Sequence, residues 1–445
     1  MAKSVIEKVP FIFSEELASK ELFDLDYIVR YKEVDSKGKY LYWDKFKWRV
    51  AKGDNPKKAW FATKYARFNK QQTVEIKDKN LKSFSFSIPN TLEAKLFKIS
   101  NLANQGIVPF NSIKNEYLIS SLIMEEAISS SQLEGASTTR KVAKEILVSD
   151  RKAKTQDEQM IINNYMLMKE IQNLKDEELS IDMILSLHQI ATKGTTDNAN
   201  IAGELRNSDD IVIMDMDDNI LHQPPLFSEL PTRLHKLCEF ANTSHSAEDG
   251  TIFIHPIVKA IILHFIIGYE HPFSDGNGRT ARAIFYWFML KNGFYYFEYV
   301  SISKLLKEAP KQYAMSYLYS EVDDNDLTYF IYYQVDIILR AIDELLLHLH
   351  KKSVEYEKIT DILSNSYLND KLNFIQKDII QKAINTPSRV FTALEISADY
   401  TIAPTTARKY LNELMKYKIV ASYKDGRTKA YIAPANLKDI LIKDK

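Results

Sequence analysis

Between His271 and Arg282 the chain reads His271-Pro272-Phe273-Ser274-Asp275-Gly276-Asn277-Gly278-Arg279-Thr280-Ala281-Arg282. Those types at that spacing suit the handling of phosphate. Gly276 and Gly278 lack a Cβ, so the backbone there can turn its N–H groups toward an anion at close range. The apolar run that follows predicts a helix whose N-terminus adds positive partial charge at the same place. Arg279 and Arg282, at i and i+3, share a helix face and can clamp phosphate oxygens. Asp275 suits Mg²⁺, which prefers a carboxylate together with phosphate oxygens. His271 is the member of the group able to accept a proton near neutral pH. Phe273 is expected to face the core and orient the loop.

The segment resembles, residue for residue, the signature HPFx(D/E)GNGRxxR of the Fic (filamentation induced by cAMP) family. The resemblance implies transfer of AMP from ATP to a protein hydroxyl, with ATP as co-substrate and Mg²⁺ as cofactor. It implies His271 as the base acting on a Ser, Thr or Tyr hydroxyl. It assigns Gly276, Asn277, Gly278, Arg279 and Arg282 to the nucleotide and Asp275 to the metal. Asn277 and the loop amides would stabilise charge on the α-phosphoryl group, and Arg282 would hold the γ-phosphate.

Two further segments fit the same family. Ser130-Ser131-Gln132-Leu133-Glu134-Gly135 matches (S/T)xxxE(G/N), the family's inhibitory helix motif, with Ser130 and Glu134 at its defined positions. A glutamate in the last turn of a helix that Gly135 ends opposes the helix dipole and calls for a cation. The resemblance makes Arg282 that cation, so that Glu134 would keep it from the γ-phosphate. In some family members such a glutamate orients water for removing AMP, a de-AMPylase alternative. Asp209 to Pro225 carries a hairpin signal inside a helical region, with Ile211-Val212-Ile213 and Ile220-Leu221 flanking Asp217-Asp218-Asn219. Gly203-Glu204-Leu205-Arg206 and His222-Gln223-Pro224-Pro225 resemble the borders of the family's flap. Ile211, Val212 and Ile213 would then dock a target segment by main-chain pairing. Ser301-Ile302-Ser303 and Asp326-Leu327-Thr328 also resemble the family core, so the likeness spans roughly residues 110 to 345.

The elements expected to position these residues are mostly helical. The resemblance implies a mainly α fold, a Fic-type helical core with a β-hairpin flap. Periodicity predicts helices over 113–135, 156–174, 181–191, 257–269 and 278–291, the last stopping at Asn292-Gly293. Residues 1–90 read as a small mixed module of unassigned role, with a period-two strand at Phe84-Ser85-Phe86-Ser87-Ile88. Trp43, Trp48 and Trp60 are expected to pack in its core. The catalytic domain is expected at 91–351, and 352–445 as a linker followed by a winged helix-turn-helix. That last unit has helical runs over 374–384, 392–398 and 404–417 and a hairpin turning at Asp425-Gly426. Arg408, Lys409 and Lys416, with Lys424, Arg427 and Lys429, lie where phosphate contacts would fall, so DNA is a candidate partner. His255 and His264 are expected in packing roles, and Tyr313 beside the nucleotide base.

Composition bounds the rest. The 445 residues carry 59 Lys/Arg and 59 Asp/Glu, with 45% hydrophobic residues, as in an ordinary globular chain of two or three domains. The ends are basic, 19 to 12 over residues 1–90 and 14 to 7 over 371–445, and the middle is acidic, 26 to 40. Such asymmetry suits separate modules. Cys238 is the single cysteine, which fits a reducing compartment. The N-terminus lacks the apolar core of a signal peptide, and the most apolar stretch, 252–269, is too polar to span a bilayer. Cytoplasmic location, no membrane partner, and a homodimer as a candidate assembly complete the expectations. Alternatives stay open at this point: a DNA-binding regulator modulated by the helical core, or the same fold using another nucleotide or a phosphocholine donor.

Overall fold

The computed structural model describes the chain apart from residues 1–5, 105–123, 150, 196–201, 215–218, 249–251, 364–367, 401, 426–427 and 444–445. By internal contacts it divides into two compact units. The first comprises 1–105, 166–297 and 302–339, and the second 106–165, 298–301 and 340–445.

In the first unit the N-terminal residues are built onto the helical core. The helix Pro56–Phe68 starts with proline at its first position, and Asn55 Oδ1 accepts from Lys57 N at 2.9 Å. Its inner face carries Trp60 and Phe61 and, equally buried, Lys64 and Arg67. Lys64 pairs with Asp323 at 2.9 Å. Arg67 donates to Tyr329 Oη at 2.7 Å and to the Leu41 carbonyl at 2.9 Å, with its guanidinium 3.6 Å from the centre of the Tyr40 ring. Tyr40 Oη in turn donates to Asp326 at 2.5 Å. Buried charges persist only when paired in this way. Strands Gln72–Lys77 and Ser83–Phe86 form an antiparallel hairpin whose Val74, Ile76, Phe84 and Phe86 are buried at alternate positions. Backbone bonds from Ser85 N to Asn325 O and from Leu327 N to Ser85 O extend that pairing to the start of the long helix Thr328–Leu363. Trp43 and Trp60 are core residues as expected. Trp48 is 79% exposed, because Trp43–Phe46 is a single helical turn that ends before it.

At the centre of this unit lie Pro256–Glu270, apolar nearly all round and buried along most of its length, and Asn277–Lys291. The two pack extensively, and Ile181–Thr192 packs on the second. Helix bounds here fall within a residue or two of those expected. The segment 209–225 pairs Ile213 with His222 and Met214 with Ile220. Of Ile211, Val212 and Ile213, only the last lies in a strand, and the expected turn at 217–218 lies outside the described residues.

In the second unit, residues 124–133 are helical, and the earlier part of the helix expected over 113–135 lies outside the described residues. Ser131 Oγ donates to Ala127 O and accepts from Asn164 Nδ2 at 2.8 Å. Gly135, at φ +99°, ends the run. Toward the C-terminus come helices Phe374–Asn385, Ala393–Tyr400 and Pro404–Lys416 and a three-stranded antiparallel sheet. In that sheet Thr428–Ile432 lies between Val390–Thr392 and Ala421–Asp425. Ile379, Phe391, Ile396, Leu411, Leu414 and Tyr431 form the core. The strand at 390–392 was not anticipated, and Arg427 lies outside the described residues.

A helix-coil linker is expected from Lys351, yet Thr328–Leu363 is one helix of 36 residues. No glycine or proline interrupts it, and Lys351-Lys352-Ser353 is a polar stretch within a continuing helix. Among the described residues no helix is long and apolar enough to cross a membrane.

Candidate active site

The site is made where one buried helix ends and another begins. Pro256–Glu270 stops at His271, which takes the left-handed conformation at φ 45°, ψ 57°. A residue other than glycine holds that geometry only when its surroundings fix it, at a cost on the order of 1–3 kcal/mol. Arg206 supplies much of the fixing. Its Nε donates to the His271 carbonyl at 2.9 Å and its backbone N–H to the Pro272 carbonyl at 2.9 Å. The same guanidinium reaches the carbonyls of Ser208 and Pro225 and the Asp209 carboxylate. One buried arginine thus ties both ends of the hairpin segment to the histidine.

The hairpin has a second anchor. His222 presents Nδ1 to Glu321 Oε2 at 2.6 Å and Nε2 to the Tyr269 carbonyl at 2.7 Å. Beside it Glu270 is buried, and burial raises its carboxyl above the usual range despite a two-point pairing with Arg233 at 2.6 and 2.8 Å. Arg233 also donates to the carbonyl of Lys77, and Lys79 Nζ to that of Gln223. The N-terminal hairpin therefore borders the site.

Inside the loop, Phe273 is fully buried, as expected. Asn277 closes the loop on itself: Oδ1 accepts from Phe273 N at 2.9 Å and Nδ2 donates to Phe273 O at 2.7 Å. These two bonds shape the loop and use one of the two N–H groups of Nδ2. Gly276 is required for a reason the sequence does not display. It sits at φ +79°, and a Cβ there would lie 2.5 Å from Thr192 Cγ2 and 3.2 Å from His188 Cδ2. Gly278 lies in the first turn of Asn277–Lys291, whose leading N–H groups have no acceptor within the helix.

The arginines and Asp275 divide the remaining work. Arg279 is buried, with one terminal nitrogen on the Ala191 carbonyl at 2.8 Å and the other on Asp275 Oδ2 at 3.0 Å. Each terminal nitrogen uses one of its N–H groups in these bonds, and the second of them steadies the Asp275 carboxylate. The Asp275 side chain is about half exposed (47%), and its Oδ1 accepts from Gly276 N at 2.6 Å. Among the described residues no three His, Cys, Asp or Glu side chains gather as a metal cage. A single accessible carboxylate fits a Mg²⁺ ion shared with phosphates rather than one held by protein alone. Arg282 is buried one turn beyond Arg279. His264 is wholly buried, its Nε2 is 2.8 Å from Tyr313 Oη, and burial followed by the nearby Arg282 charge pushes it down to about 3. That is the packing role expected for His264, and it engages the hydroxyl of Tyr313. His255 caps Pro256–Glu270, its Nδ1 accepting from Ile257 N.

One residue of this site went unnoticed in the sequence. His188, on Ile181–Thr192, stacks on Phe273 with ring centres 3.6 Å apart and planes 1° from parallel. Burial pushes it down to about 4. The available signal was a polar ring on the apolar face of a short helix, which alone does not distinguish it from a packed histidine.

Ser130 is buried on helix 124–133 and Glu134 follows directly, its N–H donating to Ser131 O at 3.1 Å. Both belong to the second unit, whereas His271 to Arg282 belong to the first.

A family model described as Fic/DOC family matches residues 178–289, the stretch that holds this loop. Over 118 residues the chain is 31% identical to a Caenorhabditis elegans protein named protein adenylyltransferase fic-1, covering 26% of this chain and 20% of that one. Over 120 residues it is 32% identical to protein adenylyltransferase Fic of Nematostella vectensis, covering 27% and 25%. The match thus spans about a fifth to a quarter of the length of these relatives. Among solved structures, a Fic family protein from Desulfovibrio desulfuricans G20 aligns with TM-score 0.47 at 17% identity, covering 77% of this chain and 94% of that one.

Proposed function

We propose that the chain is a protein adenylyltransferase. The observation that carries this reading is the placement of His271, partly exposed and locked at the end of one helix, beside a loop that opens onto the amide-bearing start of the next. The naming of relatives as protein adenylyltransferases supports it. His271 takes the proton from a Ser, Thr or Tyr hydroxyl of a target. The hydroxyl oxygen then forms a bond to the α-phosphorus of ATP as the bond to pyrophosphate breaks. The first-turn amides after Gly276 stabilise charge on the phosphoryl oxygens. Asp275, steadied by Arg279, would hold Mg²⁺, which neutralises phosphate charge when bound. Ile213 and its neighbours present an edge on which an extended target segment can lie.

Autoinhibition is part of the proposal. Glu134 engages Arg282 and so withholds it from the γ-phosphate; the motif match and the placement of Glu134 at a helix end support this. Labelled ATP, other nucleoside triphosphates and a phosphocholine donor, each incubated with Glu134→Gly and candidate targets, test donor and reaction together. Label from ATP's α-phosphate on protein is expected. Absence of transfer from every donor would remove the transferase reading. The same preparation, given AMP-modified protein, tests whether Glu134 serves removal of AMP instead.

A second reading has its own support. The residues 374–432 have the elements of a winged helix, and Arg408, Lys409, Lys416, Lys424 and Lys429 are all exposed. The chain then also binds DNA. A duplex shift by the full chain that weakens steeply with salt is expected, and no shift at low salt would end this reading.

A further inference from the structure

We infer that His188 is a positioning residue for the metal-binding carboxylate, acting through the backbone of the loop; this rests on the adenylyltransferase reading. Gly203 N–H points at His188 Nδ1 at 3.0 Å, so Nδ1 must accept and carries no proton. The proton of the neutral ring is then on Nε2, which lies 2.9 Å from the Asp275 carbonyl and donates to it. The tautomer is dictated by two main-chain groups in segments far apart in sequence.

The same ring is pressed flat against Phe273 and closes the space above Gly276. Three of the six residues from His271 to Gly276 are thereby held by one side chain. Asp275 is held from both ends, its carbonyl by His188 and its carboxylate by Arg279 and Gly276 N. About half of that side chain is exposed, so these bonds carry much of its placement. Gly203 lies just before Arg206 and the hairpin, so the ring also ties the approach of that segment to the phosphate loop. Groups that orient a metal ligand without touching the metal commonly change its affinity about 10- to 100-fold when removed.

The two hydrogen bonds can be separated by substitution. His188→Gln extends an amide N–H to where Nε2 lies and keeps the bond to Asp275. His188→Asn places an oxygen near Nδ1 and keeps the bond to Gly203. His188→Phe keeps the stack on Phe273 and loses both bonds. All three are made in the unmodified chain and in Glu134→Gly. The readouts are Mn²⁺ binding in the presence of ATP, followed by electron paramagnetic resonance, and the Mg²⁺ needed for half-maximal transfer.

Asn and Phe are expected to weaken Mn²⁺ binding and raise the Mg²⁺ requirement about tenfold, while Gln stays within about threefold of His. At saturating Mg²⁺ the transfer rate should largely recover. Equal Mn²⁺ affinity in all four proteins, or a loss as large in Gln as in Phe, would overturn the inference. Should Phe fail to fold, the Asn and Gln pair decides. Proton–nitrogen correlation of the unmodified protein should show the Nε2–H tautomer at His188, and an Nδ1–H signal would also overturn it. If Mn²⁺ binding shifts as expected but no donor is used, the adenylyltransferase reading fails and the positioning role stands.

Discussion

The Nε–H of Arg206 donates to the backbone carbonyl of His271 at 2.9 Å, binding the border of the hairpin to the residue that would take the proton. Arg206 is buried, and its guanidinium reaches three carbonyls and one carboxylate. Lysine has one nitrogen to offer in place of that planar fork. Arg206→Lys should lower transfer about 100-fold through displacement of His271, with ATP affinity changed far less. Labelled transfer alongside calorimetric ATP titration checks the split. A parallel fall in both would place Arg206 in nucleotide binding instead.

Replacing His271 by alanine removes the base and leaves the loop amides, Asp275 and Arg279 in place. Transfer is expected to fall at least 100-fold, the lower range for general base catalysis, while ATP still binds. Wild-type turnover in His271→Ala would rule out proton abstraction there.

For Glu134, the expected direction is the reverse. Glu134→Gly should raise AMP incorporation at least tenfold, self-modification included, because freeing one γ-phosphate contact of charge-assisted strength is worth about 1.5–3 kcal/mol. Autoradiography of the two proteins at equal concentration decides it. Identical labelling would remove the inhibitory role.

A pH effect follows from Lys259, which is buried beneath Phe240 and Phe288 with Nζ on the Thr243 carbonyl at 2.7 Å. Burial pushes its amine down to about 8 from an ordinary value of 10.5. The unfolded chain then binds more protons than the folded one between those values, so this group makes stability rise with pH from about 8 to 10.5. Lys259→Met should remove that rise and leave the protein at least as stable at pH 7. Urea melts across the range, compared between the two proteins, measure it; an unchanged difference at all pH values would argue against a depressed amine.

Much of the helical layout and the loop from His271 to Arg282 was legible because local periodicity and a contiguous motif carry them. What escaped is held by long-range backbone contacts. His188 is 87 residues from the carbonyl it serves, and its acceptor and donor are main-chain groups that any residue type supplies. The need for Gly276 lies in Thr192 and His188, not in the loop's own sequence. Arg279 and Asn277 were visible, but residue type does not tell which protein groups they also bind, here Phe273, Ala191 and Asp275. The continuity of Thr328–Leu363 shows the converse, that a polar stretch without glycine or proline is no boundary.

The ion network of Lys64, Arg67, Asp323 and Asp326 bears on how this protein could be recombined. Its cations come from the first 90 residues and its carboxylates from the approach to Thr328–Leu363. Cutting the chain at residue 91 would strand two interior acids without their cations. The portion that holds the loop is therefore no interchangeable cassette. A gene fusion or expression fragment that begins at the motif's own helices would carry the loop without the foundation on which it rests.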